Sequence, residues 1–110
     1  MADDEQDAIK RFTLLVLLQA QEDRASELII SSSSSSSLPI KYKVEEDWYS
    51  LSPPPPHIVP KVLSELARLA GLRGEVLPAK ASIDVPFSGT HLRWKIQLSN
   101  TDAHCFPIPP

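Results

Sequence analysis

The chain has one cysteine and three glycines in 110 residues. A lone Cys105 makes no internal disulfide and no multi-cysteine zinc site, and the count fits a reducing compartment. Gly71, Gly74 and Gly89 do not form a phosphate loop, and the GxxxxGK[ST] pattern is missing. The longest strongly apolar run is Phe12–Leu18, far short of the ~20 residues that span a bilayer. Charge of either sign is also scarce in excess. The formal net charge is −3, and Asp3, Asp4, Glu5 and Asp7 account for it. From residue 8 onward 10 acids face 11 bases, too even a balance to argue nucleic acid from net charge. An acidic start has the wrong sign for a secretory n-region, so a soluble, cytoplasmic protein is expected. Met1 and that acidic start read as a natural beginning. His57, His91 and His104 lack metal-ligand spacing, and no cofactor is implied. No two carboxylates pair on a plausible cleft. A catalytic reading has no supporting residue set, and the chain reads as not an enzyme.

What is abundant is proline and serine. Eleven prolines make 10% of the chain, against a typical ~5%. Seven of them sit at Pro53–Pro56 and at Pro107, Pro109 and Pro110. Seven consecutive serines fill 31–37; serine competes for backbone hydrogen bonds, so a loop is predicted there, with the first serines free to extend a strand. The 42% hydrophobic and 23% charged residues give a globular balance, and the length fits one domain over 1–110.

Periodicity supplies the elements. Ile9, Phe12, Val16 and Ala20 follow helical spacing within 3–24, with Leu14, Leu15, Leu17 and Leu18 widening the apolar arc. The acids at the start suit a helix N-terminus. Leu28–Ile30 reads as a strand. Ile40, Tyr42 and Val44 alternate with Lys41, Lys43 and Glu45; Glu46-Asp47 fits a turn, and Trp48–Leu51 returns as a partner strand. Pro53–Pro56 excludes helix and central strand and makes a stiff strand-to-helix junction. Pro60 opens a second helix, Val59, Val62, Leu63, Leu66, Leu69 and Ala70 line one face, and Gly71 stops it. Leu77-Pro78 is a linker. Ile83, Val85 and Phe87 form a strand, Ser88-Gly89 a turn, and Leu92, Trp94, Ile96 and Leu98 the clearest strand. Ala103–Ile108 is predicted as a proline-limited edge strand. The expectation is an α+β domain of order α-β-β-β-α-β-β-(β), a mainly antiparallel sheet of four to six strands with both helices on one face.

In that order, the segment AIKRFTLLVLLQAQEDRASELIISS over Ala8–Ser32 is similar to a leucine-rich helix, "LLQA", a charged pair and "ASDIHIEP". The stretch IKYKVEEDWYSLSPPPPHIVPKVLSELARLAGL resembles "VRYRIDG", a short strand, a proline-rich stop and a "SRLKIMAGL"-type helix. Leu77-Pro78 matches "LPQDGR", and Leu92-Arg93-Trp94 falls at "DLRVS". Together these motifs resemble the second N-terminal domain of type II secretion and type IV pilus ATPases, over about residues 8–108. The resemblance implies a free-standing, diverged relative of an ATPase accessory domain, since that family's phosphate loop lies in a separate domain. Ile29 and Ser31 replace the family's His and Glu, and Val76 and Ser82 replace arginines that help contact nucleotide in the assembled ring, so that role is lost at these sites. Arg93 keeps the family's arginine; Lys41 and Lys43 keep charge without the guanidinium fork.

Two surfaces are candidates. Trp48, Tyr49 and Pro53, Pro54, Pro55 and Pro56 place aromatics beside a proline-rich segment, a docking pattern for a protein partner; the bland reading packs Trp48 on the core. Lys41, Lys43, Arg93 and Lys95 lie opposite the apolar faces of their strands and form one basic surface if those strands share a sheet. That surface suits an acidic partner, a nucleotide or RNA, or is simply a solvated sheet face. Tyr42 and Trp94 alternate inward, so no stacking platform is expected beside the bases, which disfavours RNA. His104 and Cys105 fall on opposite faces of a strand and are not a nucleophile pair. The leading expectation is a non-catalytic protein-interaction domain that binds a ring ATPase or its regulator. The alternative is a small nucleotide- or nucleic-acid-binding module using the basic face.

Overall fold

The structure, a computed structural model, describes residues 2–32, 39–51, 58–72 and 76–108. Pro53–Pro56, the serines at 33–37, His57, Gly74, Pro109 and Pro110 lie outside the described residues. The elements run α1 (Ala2–Glu22), β1 (Glu27–Ser31), β2 (Ile40–Val44), β3 (Asp47–Ser50), α2 (Val59–Leu69), β4 (Ala79–Phe87), β5 (Thr90–Leu98) and β6 (Asp102–Pro107). The six strands form one antiparallel sheet in the order β3-β2-β1-β6-β5-β4. Both helices cover the same face, so the architecture is α+β. Among the described residues no helix is long and apolar enough to cross a membrane.

The register shows why one face is apolar. Leu28 opposes Tyr42 on one side and Cys105 on the other, and Ile30 opposes Ile40 and Ala103. Cys105 opposes Ile96, Ala103 opposes Leu98, and Trp94 opposes Ile83. All of these side chains are buried, with Trp94 the largest that is fully so. Period-two alternation turns each of them to the helices. From above, α1 delivers Ile9, Leu14, Val16, Leu17 and Ala20, and α2 delivers Val59, Val62, Leu63 and Leu66. Leu15 is exposed; it sits outside the stripe that the leucine run was expected to widen. Thr13, fully buried, satisfies its hydroxyl by donating to Ile9 O at 2.8 Å, the back-bond open to threonine in a helix.

The helix ends are built alike. Gly71 has φ 73°, Leu72 N–H donates to Ala67 O and Gly71 N–H to Arg68 O, the paired bonds of a Schellman stop. Arg24 takes the same place after α1 with φ 60°, Ala25 N–H donating to Ala20 O and Arg24 N–H to Gln21 O. Only the first of these stops has the glycine that announces it. The turn after β2 is Glu45-Glu46, one residue earlier than expected, and Asp47 already pairs with Val44.

One expectation is overturned. β6 is not an edge strand but lies between β1 and β5. Its prolines do not forbid this because Pro107 comes after the β1 ladder ends at Leu28–Cys105. Ile108 N–H donates to Arg93 O, so the adjacent Trp94–Pro107 pair is a non-hydrogen-bonded one, and the proline nitrogen points away from β5.

Candidate binding surface on the helix-free face

The same alternation that buries one face lays out the other. Across the sheet from β3, one row reads Trp48, Lys43 and Glu27, then Phe106, Lys95 and Ser82; the next reads Ser50, Lys41, Ile29, His104, Gln97 and Lys80. No helix lies over these side chains. Ile29, His104 and Phe106 are half-buried in the middle of the sheet, with the His104 and Phe106 rings stacked at 4.8 Å. Glu27 Oε1 lies 3.8 Å from His104 Nε2.

Trp48 stands at the β3 side of this face, 43% exposed. It is not packed on the core. Lys41 Nζ lies 5.2 Å and Lys43 Nζ 6.0 Å from its ring centroid, so two cations lean over the indole's electron-rich face. Tyr49 points to the other side of the sheet, where its ring meets Tyr42 at 6.0 Å. The sequence placed Trp48 with Tyr49 as one docking pair and the lysines elsewhere. The structure separates the two aromatics and puts Trp48 with the lysines. An aromatic therefore does accompany the bases on this face, contrary to the expectation drawn from the inward Tyr42 and Trp94.

The four expected bases share a sheet and a face but not a cluster. Lys43 and Lys95 are separated by β1 and β6, about 14 Å at the ladder spacing. Arg93 is engaged: its Nε donates to Asp84 Oδ2 at 3.4 Å, and His91 Nδ1 lies 3.0 Å from Asp84 Oδ1. His91 first and Arg93 second hold the Asp84 carboxyl below its usual pKa. Gln21 reaches from the end of α1 to this strand end, donating to His91 O at 2.8 Å and accepting from Arg93 N–H at 3.3 Å. These residues line a depression of about 610 Å³ with Pro107 and Ile108. Lys41, Lys43, Lys80 and Lys95 form no ion pair among the described residues.

Cys105 is fully buried beneath α1 and α2, and burial pushes its thiol up to about 12. With His104 on the opposite face, the two are not a nucleophile pair. Among the described residues no three His, Cys, Asp or Glu side chains gather in metal-binding geometry. Sequence reasoning passed over the outward placing of Phe106 and Ile29 because their strands were read from a short apolar run and a proline limit, which assign no face. It also passed over Glu65, whose carboxylate is buried on α2 and held by Arg68, Nε to Oε1 at 3.0 Å.

No family model matches the chain, and no curated protein matches it.

Proposed function

We propose that the chain is a non-catalytic interaction domain that binds a protein through the β3 side of its helix-free face. The partner we favour is a ring ATPase of the secretion or pilus type, or a regulator of one. The exposure of Trp48 carries the reading: a large aromatic stands at a sheet margin, 43% exposed, with two lysines over it that form no ion pair among the described residues. Tryptophan in such a position is the residue type that anchors interfaces. The resemblance over residues 8–108 supplies the choice of partner. The test is a pull-down of the host's secretion and pilus ATPases with the wild-type chain and with Trp48→Ala. Retention that Trp48→Ala abolishes supports the reading; no retention of any of them removes the specific partner.

A second reading is favoured by Trp48 and Phe106 lying on the lysine-bearing face, since bases stack on such rings while lysines take phosphates. Titration of labelled single-stranded RNA and nucleotide at low and moderate salt tests it. Binding lost in Lys41→Ala with Lys95→Ala supports this reading, and silence at low salt ends it.

A further inference from the structure

Among the described residues, no strand pairs with the outer margin of β3. Leu51 N–H donates to Ile40 O at 3.1 Å, which makes Leu51–Ile40 a hydrogen-bonded pair. In an antiparallel ladder such pairs alternate, so Tyr49 pairs with Tyr42 and Asp47 with Val44 through the backbone. Trp48 and Ser50 therefore turn their N–H and C=O groups outward, away from β2. The opposite margin, β4, is guarded by Pro86 and carries Lys80 and Asp84. The four residues of β3, all exposed, carry only the single charge of Asp47 and no proline, so this edge is short but is not blunted by proline or by a run of charge.

We infer that this edge accepts an extended acidic segment of the partner as a seventh strand. The inference rests on the protein-binding reading above and names its mode. The occupant follows from charge and parity. A strand laid beside β3 sends alternate side chains to the helix-free face, where the Lys41 and Lys43 ammonium groups already lean over Trp48. Carboxylates at those positions meet cations that have no ion-pair partner among the described residues. The intervening side chains go to the other face, beside the Tyr49–Tyr42 rings, which suits apolar residues. The recognised pattern is acid alternating with an apolar residue. Main-chain bonds to Trp48 and Ser50 supply the docking, and the side chains supply the choice.

The experiment uses the full chain and a labelled eight-residue peptide alternating Glu with Val, read by fluorescence anisotropy. Saturable binding is expected, weakened at least tenfold by Lys41→Glu with Lys43→Glu and lost when Lys replaces Glu in the peptide. N-methylation of one alternate set of peptide residues is expected to weaken binding at least tenfold while the other set is tolerated. The sensitive set is Glu for an antiparallel strand and Val for a parallel one. Equal tolerance of both sets overturns the inference, as does tighter binding of oligothymidylate of equal charge. Self-association of the chain that outcompetes the peptide overturns it too. If the peptide fails while an ATPase is still retained through Trp48, the inference falls and the proposed function stands. If the peptide binds and no ATPase is retained, the named partner falls instead.

Discussion

Trp48 and Tyr49 are adjacent in the chain and stand on opposite faces of the sheet, one opposite Lys43 and the other opposite Tyr42. Substituting them therefore probes two different surfaces. Trp48→Ala removes little that holds the domain together, about 0.5–1 kcal/mol of cation–π attraction at an exposed site. Chemical denaturation is expected to show a loss of about that size, with partner retention abolished. A loss several times larger places Trp48 in the core and removes it as a contact residue.

Tyr42 donates its hydroxyl hydrogen to Asp23, joining β2 to the turn after α1. That bond, helped by one from Gln19, lowers the Asp23 pKa, and Asp23 together with burial raises that of Tyr42. The carboxylate side of the pair stabilises the fold above about pH 3.9, the unfolded value, and is lost as pH falls through the depressed native value. The phenol side stabilises below about pH 10 and is lost as pH rises through the elevated one. Tyr42→Phe is expected to flatten both limbs of the stability–pH curve. Unchanged limbs in urea melts across pH 3–11 rule the pair out as their source. Asp84, also depressed, leaves part of the acid limb in place.

Arg68 holds a buried carboxylate from a half-exposed position. Arg68→Ala leaves Glu65, among the described residues, with Gln6 Nε2 at 3.4 Å, and is expected to cost about 1–3 kcal/mol. Glu65→Leu with Arg68→Leu removes both charges and is expected to recover most of that loss, because apolar replacement of a buried pair is often neutral. Equilibrium denaturation of the three proteins decides it; a double variant as weak as the single one refutes the account.

Cys105 is expected to resist thiol reagents in the folded protein. At pH 8 a chromogenic disulfide should label it slowly in buffer and at once in urea. Its native pKa of about 12 exceeds the unfolded value of about 8.5. The neutral thiol thus favours the fold below about pH 8.5, and this contribution is lost as pH rises through 12. Rapid labelling of the native chain sinks both statements.

Much of the architecture is legible in the residues. Alternation gave β2, β4 and β5 with their apolar faces, Pro60 and Gly71 gave the limits of α2, and Ser88-Gly89 gave the β4–β5 hairpin. Strand order was not legible. Pro107, Pro109 and Pro110 look like edge signals, and only the pairing of Ile108 with Arg93 shows that the nitrogen of Pro107 falls where no bond is needed. The surface was half legible for the same reason. That Lys41 and Lys43 point outward follows from their own strand; that Trp48 joins them depends on a turn register set at Glu45 (φ 58°), which period-two counting does not fix.

The placement of β6 has a consequence for synthesis. Of the six described strands, the one that emerges last, β6, joins β1–β3 to β4–β5. Until residue 107 has left the ribosome, no strand is present to join the β1–β3 pairings to the β4–β5 hairpin. Each leaves an inner margin unpaired, β1 in one and β5 in the other. Non-local pairing of this kind folds late and exposes its edges meanwhile. Association with another chain is therefore most dangerous before the final six-residue strand has been delivered, and that strand acts as the keystone between two halves built earlier.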